Sequence, residues 1–154
     1  MDIGAGTGRD AVALAALGHR VTAAEPSSKM LRLAKALHPG SGVVWVSDAL
    51  PTIRKVGGTY DVVLLSAVWM HVPPADRSAA LSRIVDLTSP GGSVFVTLRL
   101  GPGSVDRAMW SVSAEELIRL AAARGMTTSD LGKRPDLLRR DGVSWQTVRL
   151  SRKD

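Results

Sequence analysis

The sequence predicts an α/β fold of the Rossmann-like, doubly wound type, and three observations support that prediction. First, the chain opens with a glycine-rich turn, Asp2-Ile3-Gly4-Ala5-Gly6-Thr7-Gly8, which is typical of the connection between a strand and a helix. Second, short β-permissive apolar runs alternate with segments whose apolar residues recur at helical spacing. Third, residues 60–65 form an almost unbroken apolar run, as in strands that a parallel sheet buries on both faces.

The glycine turn is predicted to form a ligand loop. Glycine adopts positive φ at little steric cost and lets a ligand approach bare backbone. The amino terminus of the helix that follows faces the loop and favours an anionic group there. Arg9 stands where the dinucleotide fingerprint G-x-G-x-x-G/A requires a third small residue, which disfavours a nicotinamide or flavin site. The residues of this helix predicted to face the core are Val12, Leu14, Ala15 and Leu17.

Two further predicted strands end beside acidic residues. Residues 21–24 predict a strand that ends at Glu25-Pro26, and residues 43–46 predict a buried strand that ends near Asp48. Between them, residues 29–37 predict a helix. Its apolar residues, most of them expected in the core, are Met30, Leu31, Leu33, Ala34 and Leu37.

The alternation continues after the apolar run 60–65. Residues 75–87 predict an amphipathic helix, Pro90-Gly91-Gly92 a turn, residues 93–98 a strand, and residues 99–110 an aperiodic loop. The side chains of that helix predicted to face inward are Leu81, Ile84, Val85 and Leu87.

The last third of the chain predicts one more helix and two strands. Ser113 and Glu116 have the spacing of a capping box, which opens a helix. Residues 126–131 and 143–150 predict an antiparallel pair at the edge of the sheet, joined by a basic connection over residues 133–142. The sheet is therefore expected to be mostly parallel with an antiparallel last strand.

Composition excludes several classes of protein. The chain is the size of one domain, residues 1–154, and it contains no cysteine, so disulfides, thiolate metal sites and thiol catalysis are excluded. The sequence has no bilayer-spanning apolar run and no signal peptide, which predicts a cytoplasmic protein with no membrane partner. The residues behind the net charge of +6 are scattered and aromatic residues make up only 4%, which disfavours nucleic acid as a partner.

With these positions in place, the chain resembles class I S-adenosylmethionine-dependent methyltransferases. The resemblance covers nearly the whole chain: the glycine turn, the acids after the second and third strands, the segment after the fourth strand, and Pro90-Gly91-Gly92. It implies a sheet of seven strands, a short first strand, and S-adenosyl-L-methionine as cofactor, with S-adenosyl-L-homocysteine as product. The cofactor-binding residues that it implies are Asp2, Gly4, Ala5, Gly6, Gly8, Glu25, Pro26, Met30, Asp48, Ala49, Leu50, Ser66, Ala67 and Val68; it implies no metal site.

The resemblance also assigns roles, and each has a structural alternative. Asp2 would help to hold the methionine amino group, and Glu25 would bind both ribose hydroxyls, because a carboxylate offers two acceptors to two vicinal donors. Asp48 would accept from the adenine amino group, and Met30 would pack on the adenine face. Alternatively, Asp2 and Glu25 are ordinary caps at strand ends, Asp48 is a turn residue, and Met30 belongs to the core.

The chemistry implied is methyl transfer to an oxygen or nitrogen atom of a small molecule. His71 follows the fourth strand and is the candidate general base, because histidine titrates near neutral pH; alternatively it is a packing residue. Nucleic-acid base methylation is disfavoured, because the Asn-Pro-Pro-Tyr or Asp-Pro-Pro-Tyr element after the fourth strand is absent. If nucleic acid were the acceptor, Lys133, Arg134, Arg139 and Arg140 would contact phosphate.

The front of the sequence departs from the family pattern. Met1 stands directly before Asp2, whereas family members carry a full first strand and helices before the glycine turn. We therefore expect either an amino-terminally shortened form or cover supplied by another segment or subunit. A cofactor-binding module with lost or partner-completed catalysis is the alternative function, and an exposed central strand would favour a homodimer.

Overall fold

The computed structural model describes residues 1–103 and 108–154, and part of the predicted loop 99–110 lies outside them. Strands and helices alternate as expected through most of the chain. In chain order the elements are β1 (Asp2–Ile3), α1 (Arg9–Ala16), β2 (Thr22–Ala24), α2 (Ser28–Leu37), β3 (Val44–Val46), β4 (Tyr60–Ser66), α3 (Arg77–Asp86), β5 (Thr88–Leu100), α4 (Ala114–Ala122), β6 (Thr127–Pro135) and β7 (Ser144–Ser151). Two short 3₁₀ turns, Trp69–His71 and Pro74–Asp76, join β4 to α3.

Within the described residues, one sheet of seven strands has the order β3-β2-β1-β4-β5-β7-β6. The first five of these strands pair in parallel, and β7 lies antiparallel between β5 and β6. This arrangement confirms the predicted Rossmann-like sheet, its antiparallel last strand and its short first strand. The carboxyl ends of β1, β2, β3, β4 and β5 share one edge, which the register also places beside the connection from β6 to β7.

The main core lies between the sheet and the helices α3 and α4. Alternate residues of β4 and β5 point into it, and the helices contribute one apolar stripe each. Its fully buried side chains include Val63, Leu65, Val94, Val96, Leu98, Leu81, Ile84 and Leu117. Leu81, Ile84 and Leu87 are buried as predicted, whereas Val85 is only half-buried. This core holds the fourth and fifth strands in place, and with them the edge where their carboxyl ends meet.

The opposite face of the sheet is covered by α1 over β1, β2 and β3, with a second, smaller core around Ala11 and Ala23. On the same face of β4, Val62 is exposed and Leu64 half-buried. The prediction that β4 is buried on both faces is therefore wrong. Val44 is exposed as well, because β3 is an edge strand rather than the buried strand predicted.

Several apolar helix residues predicted in the core lie at the surface. Leu17 follows the last turn of α1, and α2 buries only Leu31 and Ala34, on one of its sides. The spacing of apolar residues identifies which side of a helix faces the core but not how wide the buried stripe is. It therefore overestimates the number of buried residues. The predicted core residues that are exposed are Leu17, Met30, Leu33 and Leu37.

Two local predictions about strands are also corrected. Pro90-Gly91-Gly92 does not precede the fifth strand but lies inside β5, where the register with β4 shifts between Tyr60 and Val62. A β-bulge accommodates such turn residues within a strand. The sixth strand runs to Pro135 rather than to residue 131, across a second irregularity between Asp130 and Lys133.

The capping box of α4 is only half formed. Ser113 Oγ accepts the Glu116 N–H at 3.1 Å, as the spacing predicts. The Glu116 carboxylate, however, bonds to the buried guanidinium of Arg77 on α3. A buried charge without a partner is far more costly than one unsatisfied backbone amide, so the long-range ion pair prevails over the local motif.

Candidate functional site

The turn between β1 and α1 places three glycines at positive φ, and two of them are packed against side chains. A Cβ on Gly4 would lie 2.6 Å from Val68 Cγ2, and a Cβ on Gly8 would overlap the ring of Trp45. Around Gly6, at φ +58°, no described atom lies within 4 Å of that position. Gly6 therefore borders open space at the carboxyl edge of the sheet, where a ligand can contact bare backbone.

Glu25 follows β2 and lies against that space. Its Oε2 accepts the Gly6 N–H at 2.8 Å, and its Oε1 accepts the Ser27 N–H at 2.8 Å. Since an ionised carboxylate has about four acceptor positions, each oxygen keeps one for a further donor. The side chain is only 7% exposed and its orientation is fixed by the two amides. This arrangement suits a ligand with two neighbouring hydroxyl groups.

Asp2 and Asp10 form a pair of carboxylates beside the glycine turn. Asp2 is buried and accepts the N–H of Ala11, so it caps the first turn of α1. Burial, and then the negative charge of Asp10, raise the pKa of Asp2 to about 7. Hydrogen bonds from Arg9 and Ser66 hold the pKa of Asp10 below its usual value. A cationic group of a ligand near this pair would stabilise both carboxylates in their ionised form.

Asp48 follows β3 at the same edge of the sheet. Its Oδ1 accepts the Ala49 N–H at 2.9 Å and its Oδ2 accepts the Lys55 N–H at 2.6 Å, so it supports the loop that contains both residues. Asp48 therefore acts as a turn residue, which was the structural alternative to a role in adenine binding. Each of its oxygens retains a second acceptor position, so the two roles are compatible. Leu50 packs against the main core, and Met30 in the first turn of α2 is 39% exposed.

The segment after β4 turns sharply at the same edge. Ala67 has φ +60°, a left-handed conformation that costs a residue with a side chain about 1–2 kcal/mol. Its N–H donates to Thr97 O at 3.3 Å on β5. The turn places Ser66 beside Asp10 and Val68 against Gly4, so it joins the end of β4 to the glycine turn.

His71 lies half-buried in the 3₁₀ turn beyond this segment. Its Nδ1 is bonded to Ala108 O at 2.9 Å. Because a carbonyl oxygen can only accept, Nδ1 carries the proton and the neutral ring has its lone pair on Nε2. The buried Arg77 ties the same two segments together, because it donates to Val72 O at 3.2 Å and to Ser111 O at 2.9 Å.

Three of the predicted acids and the end of β4 are thus arranged around one edge of the sheet. Pro26 is exposed beside Glu25, and Ala5 is half-buried within the glycine turn. Sequence reasoning missed Asp10, the second residue of α1 and the partner of both Arg9 and Ser66. An acid in the first turn of the helix that follows the glycine turn is the signal that could have found it, although helix capping alone also favours acids there.

The described residues form neither a metal-binding cluster nor a membrane-spanning helix. Among residues 1–103 and 108–154, no group of three or more histidine, cysteine, aspartate or glutamate side chains is arranged to hold a metal ion. No helix in the described part of the chain is long and apolar enough to cross a bilayer.

Comparison with known proteins identifies the family. The family model described as "Methyltransferase domain" matches residues 1–92, which include the glycine turn, Glu25, Asp48 and the end of β4. The chain belongs to the methyltransferase domain family. Its seven-stranded sheet is that of class I S-adenosylmethionine-dependent methyltransferases.

Individual members of the family show the same relationship. The methyltransferase domain is 30% identical over 125 residues to a ubiquinone biosynthesis O-methyltransferase of Xanthomonas campestris, with 78% of this chain and 50% of that protein covered. It is 28% identical over 114 residues to an uncharacterized methyltransferase of Mycobacterium tuberculosis, with 74% and 56% covered. The chain therefore spans about half the length of the curated relatives it matches.

A solved structure shares the fold of this methyltransferase domain over almost its whole length. The 1,6-didemethyltoxoflavin-N1-methyltransferase of Burkholderia thailandensis, solved with 1,6-didemethyltoxoflavin and S-adenosylhomocysteine, superimposes with a TM-score of 0.78. The match covers 99% of this chain and 70% of that chain at 24% identity. At this identity the similarity establishes the fold.

Proposed function

We propose that this chain binds S-adenosyl-L-methionine at the carboxyl edge of its sheet and transfers the methyl group to an oxygen or nitrogen atom of a small molecule. The observation that carries the proposal is the pairing of Gly6 with Glu25. The glycine leaves open space at its backbone, and its N–H orients a carboxylate that keeps a further acceptor position on each oxygen. These features suit the ribose and the methionine part of the cofactor.

The remaining site residues fit the other parts of the cofactor. Asp2 and Asp10 supply negative charge for the amino group, and Glu25 accepts from both ribose hydroxyls. Asp48 keeps acceptor positions for the adenine amino group, and Ala49 and Leu50 lie beside it. Met30 is exposed at the start of α2, where its flexible side chain packs on the adenine ring.

Methyl transfer from a sulfonium mainly requires the protein to position the acceptor. The cofactor, when bound, would supply an electrophilic methyl group on its sulfonium sulfur for transfer to the acceptor oxygen or nitrogen. The chain has to hold the acceptor in line with that methyl group and to exclude water. Gly4, Val68 and Ala67 fix the wall of the site between the glycine turn and β4.

A small-molecule acceptor agrees with the names of related proteins. The Xanthomonas relative is named for ubiquinone biosynthesis, and the Burkholderia structure contains 1,6-didemethyltoxoflavin. One is an O-methyltransferase and the other an N-methyltransferase. We extend to this chain only what they have in common, a methyl acceptor of small size with a nucleophilic heteroatom.

Replacing Gly6 with alanine tests the cofactor site directly. The added methyl group would occupy the open space, so we expect S-adenosylhomocysteine to bind at least tenfold more weakly by calorimetry. The matched control is Gly40→Ala, because Gly40 also has positive φ, +71°, and open surroundings, yet lies after α2. Equal affinities of the two variants, or no binding of S-adenosylhomocysteine by the parent chain, would contradict the proposed function.

We further assign His71 as the base that accepts the acceptor's proton through Nε2. His71→Gln is expected to leave S-adenosylhomocysteine affinity within about twofold and to lower methyl transfer by about 100-fold, a usual contribution of general-base catalysis. The measurement is transfer of radiolabelled methyl to the best acceptor found in a screen of small phenols and amines. His19→Gln, at an exposed histidine, is the control. Unchanged transfer in His71→Gln would remove this role.

A further inference from the structure

A cleft of about 670 Å³ opens beside the proposed cofactor site, between the start of α1, the ends of β4 and β5, and the connection from β6 to β7. Its volume lies within the range of small-molecule sites. Ser66 and Ala67 line it and are also predicted cofactor contacts, so the cleft continues directly from the cofactor site. A molecule in this cleft would lie next to the methyl donor.

The wall of the cleft formed by the β6–β7 connection is built around Asp136. This residue is buried, and its Oδ1 accepts from Arg140 Nη2 at 2.8 Å and from Trp145 Nε1 at 2.8 Å. Its Oδ2 accepts from the backbone N–H and the Nε of Arg140. The Arg140 guanidinium lies 5.9 Å from the centre of the Trp145 ring. This cluster fixes the shape of the connection without any ligand.

The fixed connection presents apolar side chains to the cleft. Leu137 and Leu138 follow Asp136 directly and are 92% and 74% exposed, and both line the cleft together with Trp145. Two adjacent leucines held in solvent are unfavourable unless something covers them. The apolar wall therefore favours an acceptor with an apolar, ring-containing body.

Among the described residues, the charges around the cleft leave one cation without an ion-pair partner. Of the three arginines that line it, Arg9 pairs with Asp10 at 2.9 Å and Arg140 pairs with Asp136 at 2.8 Å. In the described part of the chain Arg134 has no ion pair, and it is exposed at the end of β6. A guanidinium in this position suits a carboxylate or another planar anion.

We infer that this cleft is the acceptor site and that it selects small aromatic acids. The apolar body of the acceptor covers Leu137, Leu138 and the Trp145 ring, and its anionic group pairs with Arg134. This inference rests on the proposed function, because it names the class of acceptor for the same reaction. It makes the β6–β7 connection the part of the fold that determines acceptor specificity.

The test compares two probes of the same shape, 2-naphthoate and 2-naphthamide, titrated into the chain by calorimetry with and without saturating S-adenosylhomocysteine. We expect 2-naphthoate to bind at least fivefold more tightly than the amide. Arg134→Gln should remove that difference, and Leu137→Ser with Leu138→Ser should weaken both probes at least fivefold. The matched controls, Lys133→Gln and Leu131→Ser, alter exposed residues of β6 that do not line the cleft, and should change neither affinity.

The outcomes separate the two proposals. Failure of S-adenosylhomocysteine to bind contradicts the proposed function. The titration of 2-naphthoate in the absence of S-adenosylhomocysteine still measures the affinity of the cleft for the probe. Equal affinity of the two probes, no binding of either probe, or an effect of the control variants as large as that of the cleft variants would overturn the acceptor inference. All of these substitutions are at exposed positions, and thermal unfolding of each variant verifies that it folds.

Discussion

Glu25→Ala is expected to reduce the affinity of the chain for S-adenosylhomocysteine by at least 100-fold. The substitution removes two acceptor positions for hydroxyl donors, and each charge-assisted hydrogen bond is worth about 1.5–3 kcal/mol. It also frees the Gly6 N–H, so the glycine turn keeps the bonds from its Gly4 and Ala5 amides to Ala24 O of β2 but loses the one to the Glu25 carboxylate. Calorimetry on the parent chain and on the variant measures the change.

A loss of binding must be distinguished from a loss of stability, because Glu25→Ala leaves two backbone amides without their partner. Ser27→Ala provides the control. It removes the side-chain cap of α2, where Ser27 Oγ accepts the Met30 N–H, and costs about 1 kcal/mol of stability within the same turn. We expect Ser27→Ala to retain the parent affinity within about threefold. A folded Glu25→Ala variant that binds as tightly as Ser27→Ala would exclude Glu25 from the cofactor site.

The position of Glu25 could be predicted from the sequence because the evidence for it is local. A short apolar run identifies β2, Pro26 ends it, and the residue between them must lie at the carboxyl edge of a parallel sheet. The same reasoning predicts that Asp2 and Asp48 lie near the carboxyl ends of β1 and β3, where the structure has them. It did not predict that Asp48 bonds to the Lys55 amide, because that contact depends on how the loop folds back.

Local sequence patterns do not predict contacts between segments that are far apart in the chain. The bond between Ser66 and Asp10 joins the end of β4 to α1, and nothing in either local sequence indicates it. The ion pair of Arg77 with Glu116 occupies the carboxylate that the spacing assigned to a capping box, so only the Ser113 half of that box forms. In both cases the partner depends on the order of strands in the sheet, which the local sequence does not specify.

Exposure was predicted least well where an apolar residue lies beside an edge. Val44 is apolar and lies in an apolar run, so its type predicts burial. It is exposed because β3 is the edge strand of the sheet. Leu137 and Leu138 lie in a connection that composition marked only as basic, and they prove to be among the most exposed apolar residues described. Their exposure is informative because the loop that carries them is fixed by Asp136.

Asp2→Asn is expected to increase the stability of the free protein at pH 8. The folded-state pKa of Asp2 is raised to about 7 from a reference value of 3.8, so the folded protein binds the proton more tightly than the unfolded chain does. By linkage, the contribution of Asp2 to the free energy of unfolding falls as pH rises from about 4 to about 7 and is then constant. At 1.36 kcal/mol for each pKa unit, the loss approaches about 4 kcal/mol.

Urea unfolding of the parent and of Asp2→Asn at pH 4, 5.5, 7 and 8 measures this effect. We take the difference in free energy of unfolding between the two proteins at pH 4 as the reference. By pH 8 this difference should shift in favour of Asp2→Asn by up to about 4 kcal/mol. Asn retains an oxygen that can accept the Ala11 N–H, so the cap of α1 is preserved. Asp141→Asn, at an exposed position, controls for the removal of any carboxylate.

The same variant should bind S-adenosylhomocysteine more weakly, although it is more stable. A buried carboxylate beside Asp10 is unfavourable in the free protein and becomes favourable when the amino group of the cofactor lies near both. Stability and affinity should therefore change in opposite directions in Asp2→Asn, as expected when a residue serves ligand binding at the expense of folding. An Asp2→Asn variant that gains no stability between pH 4 and pH 8, or that binds as tightly as the parent, would contradict this account of the carboxylate pair.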